Sequence, residues 1–278
     1  MSVPGETGGA PGSVRTRLNY LTQDSEPPVS RIGFEAPDEV HRSGEYEWVE
    51  VAVGDARRLD PPARLDSEGF ELVRFETAVA DLYDDDLVKS AYYPEVSRLV
   101  RDTTGAARVV VFDHNSRAEG GPRAAHGNAR APVHLVHDDY TDRSAPGRVR
   151  AFLPEDEAAD LLTRRFAIVN VWRPIRGPLL STPLALCDAR SIAPGDLVAA
   201  QMVYPHRTGE EFRSRHSRRH RWYYYPRMTA DEAVLIKVFD SATDGLARFS
   251  LHSAFDDPTT PADAPPRESI EARTLVFY

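Results

Sequence analysis

Residues 134–141 read HLVHDDYT. Two histidines and two aspartates fall within residues 134–139, interleaved with Leu135 and Val136. Read as a strand over VHLVHDD (133–139), the chain alternates its side chains between two faces. His137 and Asp139 then point the same way, about 6.6 Å apart at a rise of ~3.3 Å per residue. His134 and Asp138 point the other way. His-x-Asp on one face supplies two members of a 2-His-1-carboxylate facial triad, which binds non-haem Fe(II) and leaves positions open. His134 would serve only in a slipped register and would then lack a carboxylate partner two residues on, so His137 is preferred. Alone the pattern is weak, and a solvated turn is the plain alternative.

The third ligand has to come from a neighbouring strand, far along the chain. FSLHSAFDDP (249–258) offers His252, near the end of an apolar stretch and before a turn rich in Pro, Asp and Thr. Arg267-Glu268-Ser269 then opens the last strand. Alternation puts Arg267 and Ser269 on one face, the interior in this reading. An interior arginine needs an anion, and its planar fork matches a carboxylate. The far carboxylate of 2-oxoglutarate fits there, with its keto-acid end directed to iron. His-x-Asp, a distant His and Arg-x-Ser together are far more specific than any one part.

Composition narrows the function class. The formal net charge is −9, which argues against a nucleic-acid or anionic-membrane binder. The exception is the basic run RSRHSRRHR (213–221), read as a solvated loop, with a lid or partner contact as the alternative. One cysteine, Cys187, allows no intramolecular disulfide and is read as a buried, inert thiol in a reducing compartment. No signal-like start and no membrane-length apolar run is present, so the expectation is a cytoplasmic protein.

Periodicity places the motifs. Residues 1–13 read as a disordered tail. YEWVEVAV (46–53) and FELVRFETAV (70–79) read as strands, residues 81–102 as a helix, and ARVVVFDH (107–114) as a buried strand. SRAEGGPRAAHGNAR (116–130) reads as a loop. A helix is expected near 155–163. Strands are expected at 166–174, 196–205, 219–228, 233–241, 246–255 and 268–278. Short strands between turn signals suggest a mainly β (α+β) sandwich or barrel.

At these residues the chain resembles the CmcJ/AsaB-like oxygenases. The matching stretches include LNYL (18–21), LDSEGFELV (65–73), TGAARVVVFDHNSR (104–117), PVHLVHDDYT (132–141), NVWRP (170–174), PLALCDARS (183–191), HRWYYYPRM (220–228), HSAFDDP (252–258) and RESIEAR (267–273). They follow in order along nearly the whole chain. One departure is Asp138, where the family commonly has the His-Val-Asp sequence. The resemblance implies a double-stranded β-helix (jelly-roll, cupin-like) core over 131–278, an N-terminal α/β extension over 14–130, and one oxygenase domain. It implies Fe(II), 2-oxoglutarate and O2 as cofactor and cosubstrates. The expected reaction is hydroxylation, desaturation or a related C–H oxidation of a small natural-product intermediate. It carries metal ligation onto His137, Asp139 and His252, and cosubstrate binding onto Arg267. Alternatives are a cupin-like metalloenzyme that does not use 2-oxoglutarate, and a non-catalytic partner of a biosynthetic enzyme. A homodimer or a biosynthetic partner enzyme stays open.

The remaining candidates are read with their bland alternatives. Asn170 and Trp172 share a face; Asn170 would bind the cosubstrate or substrate and Trp172 line the pocket, or both would simply pack. His114 and Arg117 would reach substrate at the barrel mouth or fix a loop. Tyr223 and Tyr225 share a side, where one would touch substrate, though core packing is the commoner fate. Glu271 and Arg273 would be costly inside unless paired, so an internal ion pair is expected. Lys237, in an apolar strand, is expected to join such a network.

Overall fold

The computed structural model describes residues 12–36, 39–119 and 131–278. Most of the expected tail 1–13 and of the expected loop 116–130 lies outside them; Ser13 and residues 116–118 belong to strands. Among the described residues two sheets form, with strands numbered in chain order. The first runs in the order β1 (Ser13–Leu21), β4 (Tyr46–Asp55), β12 (Trp222–Tyr224), β9 (Leu184–Cys187), β14 (His252–Ala254), β7 (His137–Asp138), β11 (Arg207–Ser214), β10 (Leu197–Tyr204), β2 (Val29–Ile32), β3 (Val40–Arg42). The second runs β5 (Phe70–Arg74), β13 (Glu232–Asp240), β8 (Phe166–Pro174), β15 (Glu268–Phe277), β6 (Arg108–Ala118). The first sheet curls, so that Leu21 at the end of β1 bridges Arg215 just past β11. The N-terminal strands therefore join both sheets. This is the mainly β, jelly-roll-like architecture the sequence led us to expect.

The second sheet is buried on both faces, which explains why FAIVNVWRP and EAVLIKVFD read as continuous apolar runs. Ile168, Trp172, Val234, Ile236 and Leu275 face Leu184 and Leu186 of the first sheet. Val169, Val171, Leu235, Ala272 and Val276 face Val88, Tyr92, Val96 and Val100. Those last residues recur at a helical spacing, and each fully buried aliphatic side chain contributes about 1.5–3 kcal/mol. The helix Tyr93–Thr104 ends at Gly105, whose φ of 69° suits a residue without a Cβ.

Several boundaries differ from the expectations, for physical reasons. VHLVHDD forms only the two-residue β7, because Val136 N–H turns to the Asn19 carbonyl instead of a strand partner. LARFSLHSAF keeps only β14, since Ala247 N–H bonds to the Asp66 carbonyl and Arg248 Nε to the Asp240 carbonyl. ARVVVFDH lies on the edge strand β6 and is half-buried rather than buried. The run 213–221 is not a solvated loop throughout: Arg213 and Ser214 are buried in β11, and Arg221 pairs with Asp188. The helix Ala145–Phe152 and strands β9 and β11 were not anticipated at all.

Lys237 does enter a charge network. Its ammonium bonds to Asp66 and, at 3.0 Å, to Asp240, which also receives Arg165 at 2.7 Å. Lys237 and Asp240 are buried, so removing one partner leaves charge exposed to low dielectric. Lys237→Met is expected to cost roughly 3 kcal/mol, the low end for a broken buried pair because Arg165 remains. Denaturant unfolding measures it.

Candidate active site

The site forms where three short first-sheet strands face the second sheet. β14 pairs with β7 so that His252 lies directly opposite His137. Their side chains therefore share a face, with ring centroids 4.4 Å apart. His137 Nδ1 lies 2.7 Å from the Leu135 carbonyl, and His252 Nδ1 lies 3.0 Å from the Ser250 carbonyl. A carbonyl only accepts, so each Nδ1 carries the hydrogen and each Nε2 keeps its lone pair. His137 Nε2 lies 3.6 Å from Asp139 Oδ1. One ligand atom from each of His137, Asp139 and His252 falls within 4.8 Å of the others. Two imidazoles with open Nε2 atoms and one carboxylate are the donor set of a facial triad. His134 is not in this group.

The second sheet holds the carboxylate. Asp139 Oδ2 accepts from Asn170 Nδ2 at 2.8 Å and from Arg273 Nε at 3.2 Å. Asn170 sits on β8 and Arg273 opposite it on β15. With Oδ2 occupied, Oδ1 is left toward the histidines. Arg273 also binds Glu271 at 2.8 Å and Asp113 at 3.0 Å, so the expected internal ion pair is present and reaches further than expected. Burial alone would raise the Asp139 carboxyl, but Arg273, both histidines and the Asn170 amide hold it well below the usual carboxylate range. Burial, and then His252, lower His137, which keeps its Nε2 unprotonated. Asp138 is buried and accepts from the Ser250 N–H at 3.0 Å and the Tyr140 N–H at 3.3 Å. It thus ties β7 to the segment that carries His252; burial and then Asp139 push its pKa well up.

Arg267 lies at the start of β15 and is 2% exposed. Its Nε donates to Ser269 Oγ at 3.0 Å and its Nη1 to the Thr182 carbonyl at 3.1 Å. The guanidinium stands 5.0 Å from the Trp172 ring centroid. Among the described residues no carboxylate forms an ion pair with it. Burial first, and then the Arg117 charge, pull its pKa down to about 9. A buried cation in this state favours an incoming anion. The Thr182 carbonyl is presented by a left-handed backbone, φ 46°, uncommon and strained for a β-branched residue. Neither Thr182 nor the Arg273–Asp139 link was read from the sequence; a carbonyl carries no residue-type signal.

The other candidates divide. Trp172 and Asn170 face the interior together, with Asn170 on Asp139 rather than reaching out as a cosubstrate donor. Arg117 lies opposite Ser269 and bonds to the Ala131 carbonyl at 2.8 Å. His114 takes the other face: it lies opposite Ala272 and bonds to Tyr93 at 2.9 Å and Asp85 at 3.2 Å, on the helix side of the sheet. It does not reach the barrel mouth. Tyr223 and Tyr225 both pack on Phe70, Tyr223 over Gly54 and Tyr225 under the Arg57 guanidinium, which is core packing.

The chain is similar to known proteins over nearly its whole length. A family model described as "Oxidoreductase/YMDC permease-like domain" matches residues 18–277. The hydroxylase/desaturase efuI of Hormonema carpetanum is 32% identical, covering 96% of this chain and 95% of its own. The Fe(II)/2-oxoglutarate-dependent dioxygenase nvfI of Aspergillus novofumigatus is 36% identical over 84% of this chain and 85% of its own. The solved structure of the iron and alpha-ketoglutarate-dependent endoperoxidase NvfI superposes with a TM-score of 0.85 at 31% identity, covering 96% of this chain and 98% of that one. Among the described residues no helix is long and apolar enough to cross a membrane. With these matches over nearly its full length, the chain belongs to the family of Fe(II)- and 2-oxoglutarate-dependent oxygenases that includes these hydroxylase/desaturases and the endoperoxidase.

Proposed function

We propose that His137 Nε2, Asp139 Oδ1 and His252 Nε2 hold Fe(II), and that Arg267 and Ser269 take the far carboxylate of 2-oxoglutarate. The observation that carries this is that one ligand atom from each of His137, Asp139 and His252 lies within 4.8 Å of the others, while backbone carbonyls engage both Nδ1 atoms and leave both Nε2 atoms bare. When bound, the iron with 2-oxoglutarate and O2 supplies the oxidation of a substrate C–H bond. The chain's own residues do the positioning. Leu135 and Ser250 carbonyls fix the imidazole tautomers. Asn170 and Arg273 hold one carboxylate oxygen and leave the other open. Trp172 covers the Arg267 guanidinium and keeps water from the charge pair it would form. The substrate is a small natural-product intermediate, and the outcome is hydroxylation, desaturation or a related oxidation. The lone cysteine Cys187 is buried, with its thiol pushed up to about 12 by burial, which suits a reducing cytoplasm.

Purified protein given Fe(II), O2 and 2-oxoglutarate is expected to form succinate, slowly without substrate and faster with it. Iron-loaded protein that consumes no 2-oxoglutarate with any of a broad substrate panel would contradict the assignment. Asn170 acts on the ligand and not on the metal. Asn170→Ala is expected to weaken metal affinity about 10–100-fold, the usual effect of losing a group that orients a ligand. Metal titration followed by calorimetry checks it.

A further inference from the structure

We propose that Arg213 and Glu211 are the polar anchor of the substrate pocket, and that the substrate is an apolar small molecule with a carbonyl or carboxylate oxygen near the carbon that reacts. The proposal rests on the iron and 2-oxoglutarate reading above.

β11 lies beside β7, with Arg213 directly opposite His137. Opposed residues share a face, with Cβ atoms about 5 Å apart. Arg213 therefore points to the side of the sheet where His137 and His252 converge. Glu211, two residues earlier, shares that face. Both are buried, 2% and 9% exposed, and they form an ion pair with each other. That pair uses Nη2 of Arg213. Its Nε and Nη1 are buried and have no partner among the described residues. A buried polar group left without a partner costs about 1–3 kcal/mol, so two such nitrogens on one side chain beside a proposed metal ligand call for an oxygen from outside.

The surroundings say what kind of molecule brings it. Glu211 neutralises Arg213, so a neutral carbonyl is enough. Arg42 on β3 lies opposite Ser30, which lies opposite Met202 of β10, so its positive charge is on this same face and favours a carboxylate. On β10, Val198 lies opposite Arg213, Ala200 opposite Glu211, and Met202 opposite Gly209. All share the inner face. This wall is apolar, with two small residues, Ala200 and Gly209, in it. Arg213 stands beside His137, so the oxygen it holds lies within a few bonds of the carbon presented to the metal. A site built to hydrogen-bond an oxygen rejects the analogue that lacks it more strongly than an apolar pocket rejects a missing methylene.

Three probes with one apolar body test this: naphthoate, naphthamide and methylnaphthalene. Protein loaded anaerobically with Fe(II) and 2-oxoglutarate is titrated with each by calorimetry. Bound 2-oxoglutarate keeps naphthoate from Arg267. Naphthoate and naphthamide are expected to bind at least tenfold tighter than methylnaphthalene. Arg213→Met is expected to erase that preference while leaving iron and 2-oxoglutarate uptake at the wild-type level, and Arg213→Lys to restore part of it. If Arg213→Met does not fold, Arg213→Gln takes its place. Equal affinity for all three, saturable binding of none, or a preference unchanged in Arg213→Met would overturn the proposal. Failure of 2-oxoglutarate uptake by the wild type sinks the earlier reading alone; the same probe series on Arg267→Met protein then decides the anchor.

Discussion

Asp139→Ala is expected to abolish iron-dependent turnover while leaving the fold intact. Asp139 is the only carboxylate in the converging group, so its loss removes a donor and the negative charge that draws a dication to two neutral imidazoles. The expected fall in 2-oxoglutarate consumption is at least ~10³-fold, beyond the about 10–100-fold typical of residues that only orient a ligand. The fold survives because Arg273 keeps Glu271 and Asp113 as partners. Metal content and succinate formation are measured together with the melting temperature. A variant with an unchanged melting temperature and full turnover would remove Asp139 from the site. The neighbouring Asp138 makes the contrast. It accepts two backbone N–H groups and does not face the histidines, so Asp138→Ala should act mainly on stability.

The second large effect concerns Arg267. Arg267→Met is expected to raise the half-saturating 2-oxoglutarate concentration by roughly 100-fold or more, since truncating one partner of a buried charge pair costs about 2–5 kcal/mol. The apo protein should behave differently. Arg267 is buried, and no carboxylate of the described residues pairs with it, so the free protein bears the cost of desolvating it. Methionine keeps the packing on Trp172 without the charge. The apo variant is therefore expected to melt no lower than wild type. A matching loss of stability and of affinity would mean that Arg267 is a structural residue, and that Thr182 and Ser269 are its true partners.

The chemistry was more legible in the sequence than the architecture that delivers it. His137, Asp139 and His252, which the structure brings together, and the Arg267–Ser269 pair proposed for the cosubstrate could be picked out because metal and carboxylate binding demand specific residue types. The alternation along RESIEAR held, so Glu271 and Arg273 could be placed together. The extent of the supports was not legible. β7 and β14 lie inside the strands expected at 133–139 and 246–255 but are only two and three residues long, held by the distant strands that pair with them. No local period tells where so short an element stops. β11 was hidden for another reason. Its inward face carries Glu211 and Arg213, so the pattern that signals a strand by apolar alternation reads instead as a charged loop. His114 shows the opposite error. It stands in a strand next to Asn115 and Arg117, and nothing in its own neighbourhood tells which face looks inward; pairing with Ala272 settles that.

The central claim is that one interior site holds iron and 2-oxoglutarate at once. An anaerobic titration of the apo protein with Fe(II), then 2-oxoglutarate, followed by visible absorption, tests it most directly. The expected result is a weak metal-to-ligand charge-transfer band that needs both additions, is absent in Asp139→Ala, and requires far more 2-oxoglutarate in Arg267→Met. Iron binding with no band at any 2-oxoglutarate concentration would contradict the account.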